Sequence, residues 1–111
     1  MTLESFEEQI TKGKAQWIVS FEYIEDTNRI TIGLTHDTEN FSTEQNLIFN
    51  NVESLNSDWH DKEDNCIESI ISATEELTLT KYQYYFYTDQ REIFIRTTEK
   101  IIIECISDKK K

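Results

Sequence analysis

A chain of 111 residues is the size of one ordinary domain, with an expected radius of gyration of about 13 Å, so residues 1–111 are read as a single domain. Hydrophobic residues make up 37%, including six Phe, five Tyr and two Trp, which is enough for one compact core and argues against disorder. The formal net charge of −11 repels phosphate and excludes nucleic acid as a partner.

That charge is segmental. Eleven of the 22 acidic residues lie between Asp37 and Glu76, where Lys62 is the single base, giving −10 over that stretch. Crowded like charges repel, so a middle this acidic points to a cationic partner or to solubility. Met1 to Ile10 holds three Glu and no base, and no long apolar run follows, so neither a signal peptide nor a membrane span is expected. A cytoplasmic location follows as the expectation, with Cys66 and Cys105 reduced: they stand 39 positions apart with no Cys-x-x-Cys pairing.

In chain order, Ser5-Phe6-Glu7-Glu8 fits a capping box, and Leu3, Phe6 and Ile10 sit at near-helical spacing, predicting a short helix that ends near Gly13. From Trp17 the apolar period becomes two: Trp17, Val19, Phe21 and Tyr23 alternate with Ile18, Ser20, Glu22 and Ile24. Glu25-Asp26-Thr27-Asn28 supplies a turn, and Ile30, Ile32 and Leu34 form the return arm of a hairpin. With no Pro and only Gly13 and Gly33, turns fall to Asn, Asp, Ser and Thr.

A polar loop over 36–42 leads to a strand near Gln45 to Asn50, whose packing Val52 and Leu55 continue. Asn56 to Asn65 is polar except for Trp59 and reads as a long exposed loop. Cys66 to Glu76 matches helix and strand alike; its β-branched residues and strand neighbours favour strand. Tyr82, Tyr84 and Phe86 then oppose Tyr85 and Tyr87, as in a central strand packed on both faces. After Thr88-Asp89-Gln90, Ile93 and Ile95 alternate with Glu92, Phe94 and Arg96. Ile101-Ile102-Ile103 is apolar on both faces, which predicts an interior final strand. The fold class is mainly β, with α+β as the alternative: six or seven antiparallel strands in a sandwich or partly open barrel, plus the N-terminal helix.

No catalytic, metal or nucleotide motif stands out. Asp58-Trp59-His60-Asp61-Lys62-Glu63-Asp64-Asn65 is the densest polar cluster, but a calcium loop begun at Asp61 would put Cys66 at position six and Ser72 at position twelve, where Gly and Glu are required. Zinc would want more His or Cys nearby. His36 beside Asp37 and His60 beside Asp61 would point to opposite faces of a strand, and neither cysteine has a local nucleophile signature. No Gly-rich loop cradles a phosphate, and no cofactor is expected. The Tyr82 to Tyr87 run lacks the basic field of a nucleic-acid platform; exposed on one face, it would suit a protein interface.

Asn46-Leu47-Ile48-Phe49-Asn50-Asn51-Val52-Glu53-Ser54-Leu55, with Trp59, Tyr84 to Tyr87 and the Ile-rich end, resembles small uncharacterised bacterial proteins, some of them immunity proteins of polymorphic toxin systems. The resemblance implies a cytoplasmic inhibitor of one toxin domain, and an acidic surface would steer a basic toxin toward it. The leading expectation is a non-enzymatic binding module that meets a basic protein through Asp58, Trp59, Asp61, Glu63 and Asp64, with Trp59 as an apolar anchor. The alternative is a ligand-binding or hydrolase domain with a pocket near His60, using Asp61 or Glu63. A structural or self-associating protein is a third class.

Overall fold

The computed structural model describes residues 6–11, 16–36, 43–59 and 68–106. One short helix, α1 (Phe6–Thr11), precedes eight strands: β1 (Trp17–Ile24), β2 (Arg29–Thr35), β3 (Gln45–Phe49), β4 (Val52–Trp59), β5 (Glu68–Leu77), β6 (Tyr82–Thr88), β7 (Arg91–Thr97) and β8 (Ile102–Cys105). All described pairings are antiparallel, in the order β4-β7-β6-β5-β1-β2-β3-β8, and the sheet does not close into a barrel.

The sheet bends at one weak seam. β1 and β5 pair only through Trp17 with Ser69 and Ile18 with Glu68. Laid flat, β3 and β6 would stand four strand spacings apart, about 19 Å. Yet the Phe49 ring of β3 lies 5.2 Å from Tyr84 and 6.2 Å from Phe86 on β6. The two halves therefore face one another across a shared core, as the layers of a sandwich do. That core is built by alternation: Ile30, Ile32 and Leu34 of β2, Leu47 and Phe49 of β3, Tyr84 and Phe86 of β6, and Ile93 and Ile95 of β7 are all buried.

Six residues are too few for a helix to persist alone, so α1 depends on packing. Its buried Phe6 meets Tyr84 at 5.3 Å and Phe86 at 5.8 Å, Ile10 is fully buried, and the Glu7 carboxylate accepts the Ala73 N–H of β5. The expected Ser5 cap and Gly13 stop lie outside the described residues. Asn does the work of Gly at two corners. Asn28 is left-handed (φ 50°) after the 3₁₀ turn Glu25–Thr27, and Asn51 (φ 53°) turns β3 into β4.

Three expectations are corrected. Asn56–Trp59 is the second half of strand β4, not loop, and this strand makes eight where six or seven were expected. Its seven register pairs with β7 stabilise a segment whose own polarity signals a loop. The Ile-rich β8 is an edge strand, with Ile101 buried just before it and Ile102 half exposed, so its apolar run reflects one capping contact and not two covered faces. β6 is packed on one face alone: Tyr85 and Tyr87 are 41% and 42% exposed.

The buried Tyr84 hydroxyl accepts the Ile101 N–H at 2.9 Å and pins the approach to β8 over the core. Its phenol is raised well above the ordinary 10.0, first by burial, against a smaller opposing effect of the Ile101 bond, and further by Glu75. The folded chain thus holds this proton where the unfolded chain releases it, so the contribution is complete below pH 10 and is lost as pH rises above it. Tyr84→Phe should cost about 1–3 kcal/mol at neutral pH by stranding the Ile101 N–H, and should make stability fall less steeply above pH 10. Urea unfolding across pH 7 to 11 reads both effects.

Candidate functional site

Cross-strand register sorts the outward side chains of β4, β7, β6 and β5 into rows. One row is Asp58, Glu92, Tyr87 and Ser72; the next is Asn56, Phe94, Tyr85 and Thr74; the third is Ser54, Arg96, Gln83 and Glu76. The first two rows line an open concavity of about 510 Å³. Its floor is aromatic: Tyr85 and Phe94 lie 4.9 Å apart at 45°, and the Tyr85 hydroxyl donates to Gln83 Oε1 at 3.1 Å.

Its charge is unbalanced. Asp58 stands directly opposite Glu92, and like charges so placed repel and destabilise a sheet. Among the described residues no cation forms an ion pair with either. Arg96, four residues along β7 from Glu92, is drawn toward Glu53 at 3.9 Å. Two carboxylates beside exposed aromatic faces suit a cation, which gains Coulomb attraction and ring contact together.

Alternation sends Trp59 to the other side. There it covers Arg91, whose guanidinium lies 4.3 Å from the Trp59 ring and 4.7 Å from that of Phe21. Arg91 grips Glu68 with two bonds, at 2.7 and 2.8 Å, and its third nitrogen donates to Ser57 Oγ at 2.8 Å. Thr88 donates to Glu68 at 3.0 Å and accepts the Gln90 and Arg91 N–H groups, so the turn between β6 and β7 is tied to the same pair. Both charges are buried and fully engaged, which is the arrangement of a structural pair.

The structure thus separates Asp58 from Trp59, and Asp61, Glu63, Asp64 and His60 lie outside the described residues. The acids of 37–76 do not form one face among those described. Glu44 pairs with His36, Glu53 with Lys81, Glu75 with Lys100, and Glu68 is internal. Sequence reading missed Glu92, Phe94 and Thr74 because the site runs across strands; the period-two sequence Glu92, Phe94, Arg96 and the tyrosine face of 82–87 were its visible signals. Among the described residues, no three His, Cys, Asp or Glu side chains gather as metal ligands, and no helix is long and apolar enough to cross a membrane. No family model, curated protein or solved structure matches the chain.

Arg91→Met should cost roughly 3–5 kcal/mol by leaving Glu68 buried and uncompensated. Adding Glu68→Leu should recover part of that loss, which a double-mutant cycle of denaturant unfolding would measure. A doubly substituted chain less stable than either single variant would contradict a purely structural pair.

Proposed function

We propose that this protein is a non-enzymatic binding module whose outward β4-β7-β6-β5 face takes a basic protein, most concretely as an immunity-type inhibitor of a basic toxin domain. The observation that carries the reading is the Asp58–Glu92 pair, with no ion-pair partner among the described residues, beside Tyr85, Tyr87 and Phe94. Repulsion of this kind costs the free protein stability, and a cationic partner turns it into attraction. Tyr is well suited to such a surface, since it offers large contact area at small entropic cost. The net charge of −11 adds long-range steering, which raises the encounter rate with a basic partner and weakens with salt.

The test is affinity capture at low salt from the source cells, using wild type and Asp58→Asn/Glu92→Gln as paired baits, followed by kinetics with the protein recovered. A basic partner is expected, with its association rate lowered about tenfold in the variant and its salt dependence flattened. Co-expression should relieve any toxicity of that partner with wild type and less so with the variant. The same two substitutions should raise the unfolding midpoint of the free protein by removing the repulsion. A recovered partner whose association rate and salt dependence ignore both substitutions would overturn the assignment of this face.

A further inference from the structure

β4 ends the sheet. It pairs with β7 on one side, and on its other side the sole backbone bond from described residues beyond the strand ladder is the one that ties the Val52 N–H to Asn28 O at 2.9 Å. Beyond a register shift between Val52 and Ser54, the strand runs regularly from Ser54 to Trp59. In an antiparallel strand, alternate residues direct both N–H and C=O away from the existing neighbour, so, among the described residues, Ser54 to Asp58 present a ladder on which no second strand is paired. Residues 56–59 are all exposed although they alternate between faces, as expected where β4 projects at the rim. Natural edges are commonly guarded by Lys, Pro or bulges. From residue 54 to 59 there is neither Lys nor Pro, and the one charge is Asp58. The opposite edge, β8, offers four residues.

Building on the reading above, we infer that the basic partner docks by adding an extended segment to the outer edge of β4, pairing its backbone with residues 54–58. Register sets its side chains. A new strand would lie about 4.8 Å beyond β4, and its outward residues would extend the rows already described. The residue beside the Asp58–Glu92 row must be Arg or Lys, whose length spans Asp58 and reaches Glu92. Two positions away, beside Asn56 and Phe94, an apolar or aromatic residue continues the floor. A second copy of this chain is the wrong occupant: antiparallel β4 strands would set Glu53 and Asp58 against the same acids, between chains of −11 each.

The probe is a blocked nine-residue peptide with Arg and Val at successive outward positions and Thr between, titrated to millimolar into isotopically labelled protein. Two companion peptides carry N-methyl groups, one on each alternate set of amides, with charge unchanged. The expected result is slowed exchange of alternate β4 amides over 54–58, with one methylated set weakening binding at least tenfold and the other near neutral. Equal binding of all three peptides would overturn edge pairing and leave the acidic face standing. No binding by any peptide would overturn the proposal, as would β4 protection that rises with protein concentration before peptide is added. Undiminished protection in Asp58→Asn/Glu92→Gln would overturn the basic occupant and the reading beneath it, while leaving a strand on the edge.

Discussion

Everything in this fold depends on the junction of Phe6, Phe49, Tyr84 and Phe86, where α1 and both halves of the bent sheet meet. β1 and β5 share two residue pairs, too few to hold two four-stranded halves together by backbone bonding alone. The aromatic contacts supply what the seam lacks. Each such ring buries roughly 150–250 Å² and gains about 0.5–1.5 kcal/mol from ring geometry beyond its area. α1 cannot persist without this surface, and the strands cannot bury their inward faces without bending around it. The bend in turn leaves β4 and β8 as open ends, because a sheet folded over a wedge of rings has no reason to close.

The same alternation that builds the core decides what the surface can offer. Along β4, Leu55, Ser57 and Trp59 look inward while Asn56 and Asp58 look outward. Trp59 is thereby committed to covering Arg91, a task that fixes the end of β4 against β1 through Phe21. An Arg buried with Glu68 has lost its water, and the flat faces of two rings replace part of that solvation while the carboxylate takes the directed bonds. The outward face is freed from structural duty because the inward one carries the charge network. Asp58 and Glu92 are left facing each other, and no cation among the described residues pairs with either.

Most strands were legible because their apolar residues alternate: β2, β3, β6 and β7 follow from a period of two, β1 follows from it despite a register shift between Ile18 and Ser20, and the β-branched run of β5 settled an ambiguous stretch. β4 was not legible, since its inward positions Ser57 and Trp59 serve a buried ion instead of an apolar core. A polar residue there looks like loop until Arg91, 34 positions away, is placed beside it. β8 misled in the opposite sense: Ile101, Ile102 and Ile103 read as a strand covered twice, whereas Ile101 closes the core from outside the strand, held by the Tyr84 hydroxyl. Local pattern records what a side chain touches, not which element supplies the contact.

Charge shows the same limit more sharply. Counting along the chain places the negative field in the middle forty residues, but folding redistributes it: Glu53, Glu68 and Glu75 are each matched to a Lys or Arg from elsewhere, and Glu44 meets the His36 imidazole. What remains unmatched on the concave face is made of one acid from that segment, Asp58, and one from the nearly balanced C-terminal third, Glu92. Sequence density is therefore a poor guide to local potential, because each ion pair cancels most of its own field within a Debye length of about 8–10 Å. A couple in register with no cation beside it among the described residues keeps its field, and it does so beside three aromatic rings carried by β7 and β6, the two strands next to β4. Charge at Asp58 and Glu92, ring surface on β7 and β6, and the backbone of an edge strand thus lie side by side on one end of the sheet.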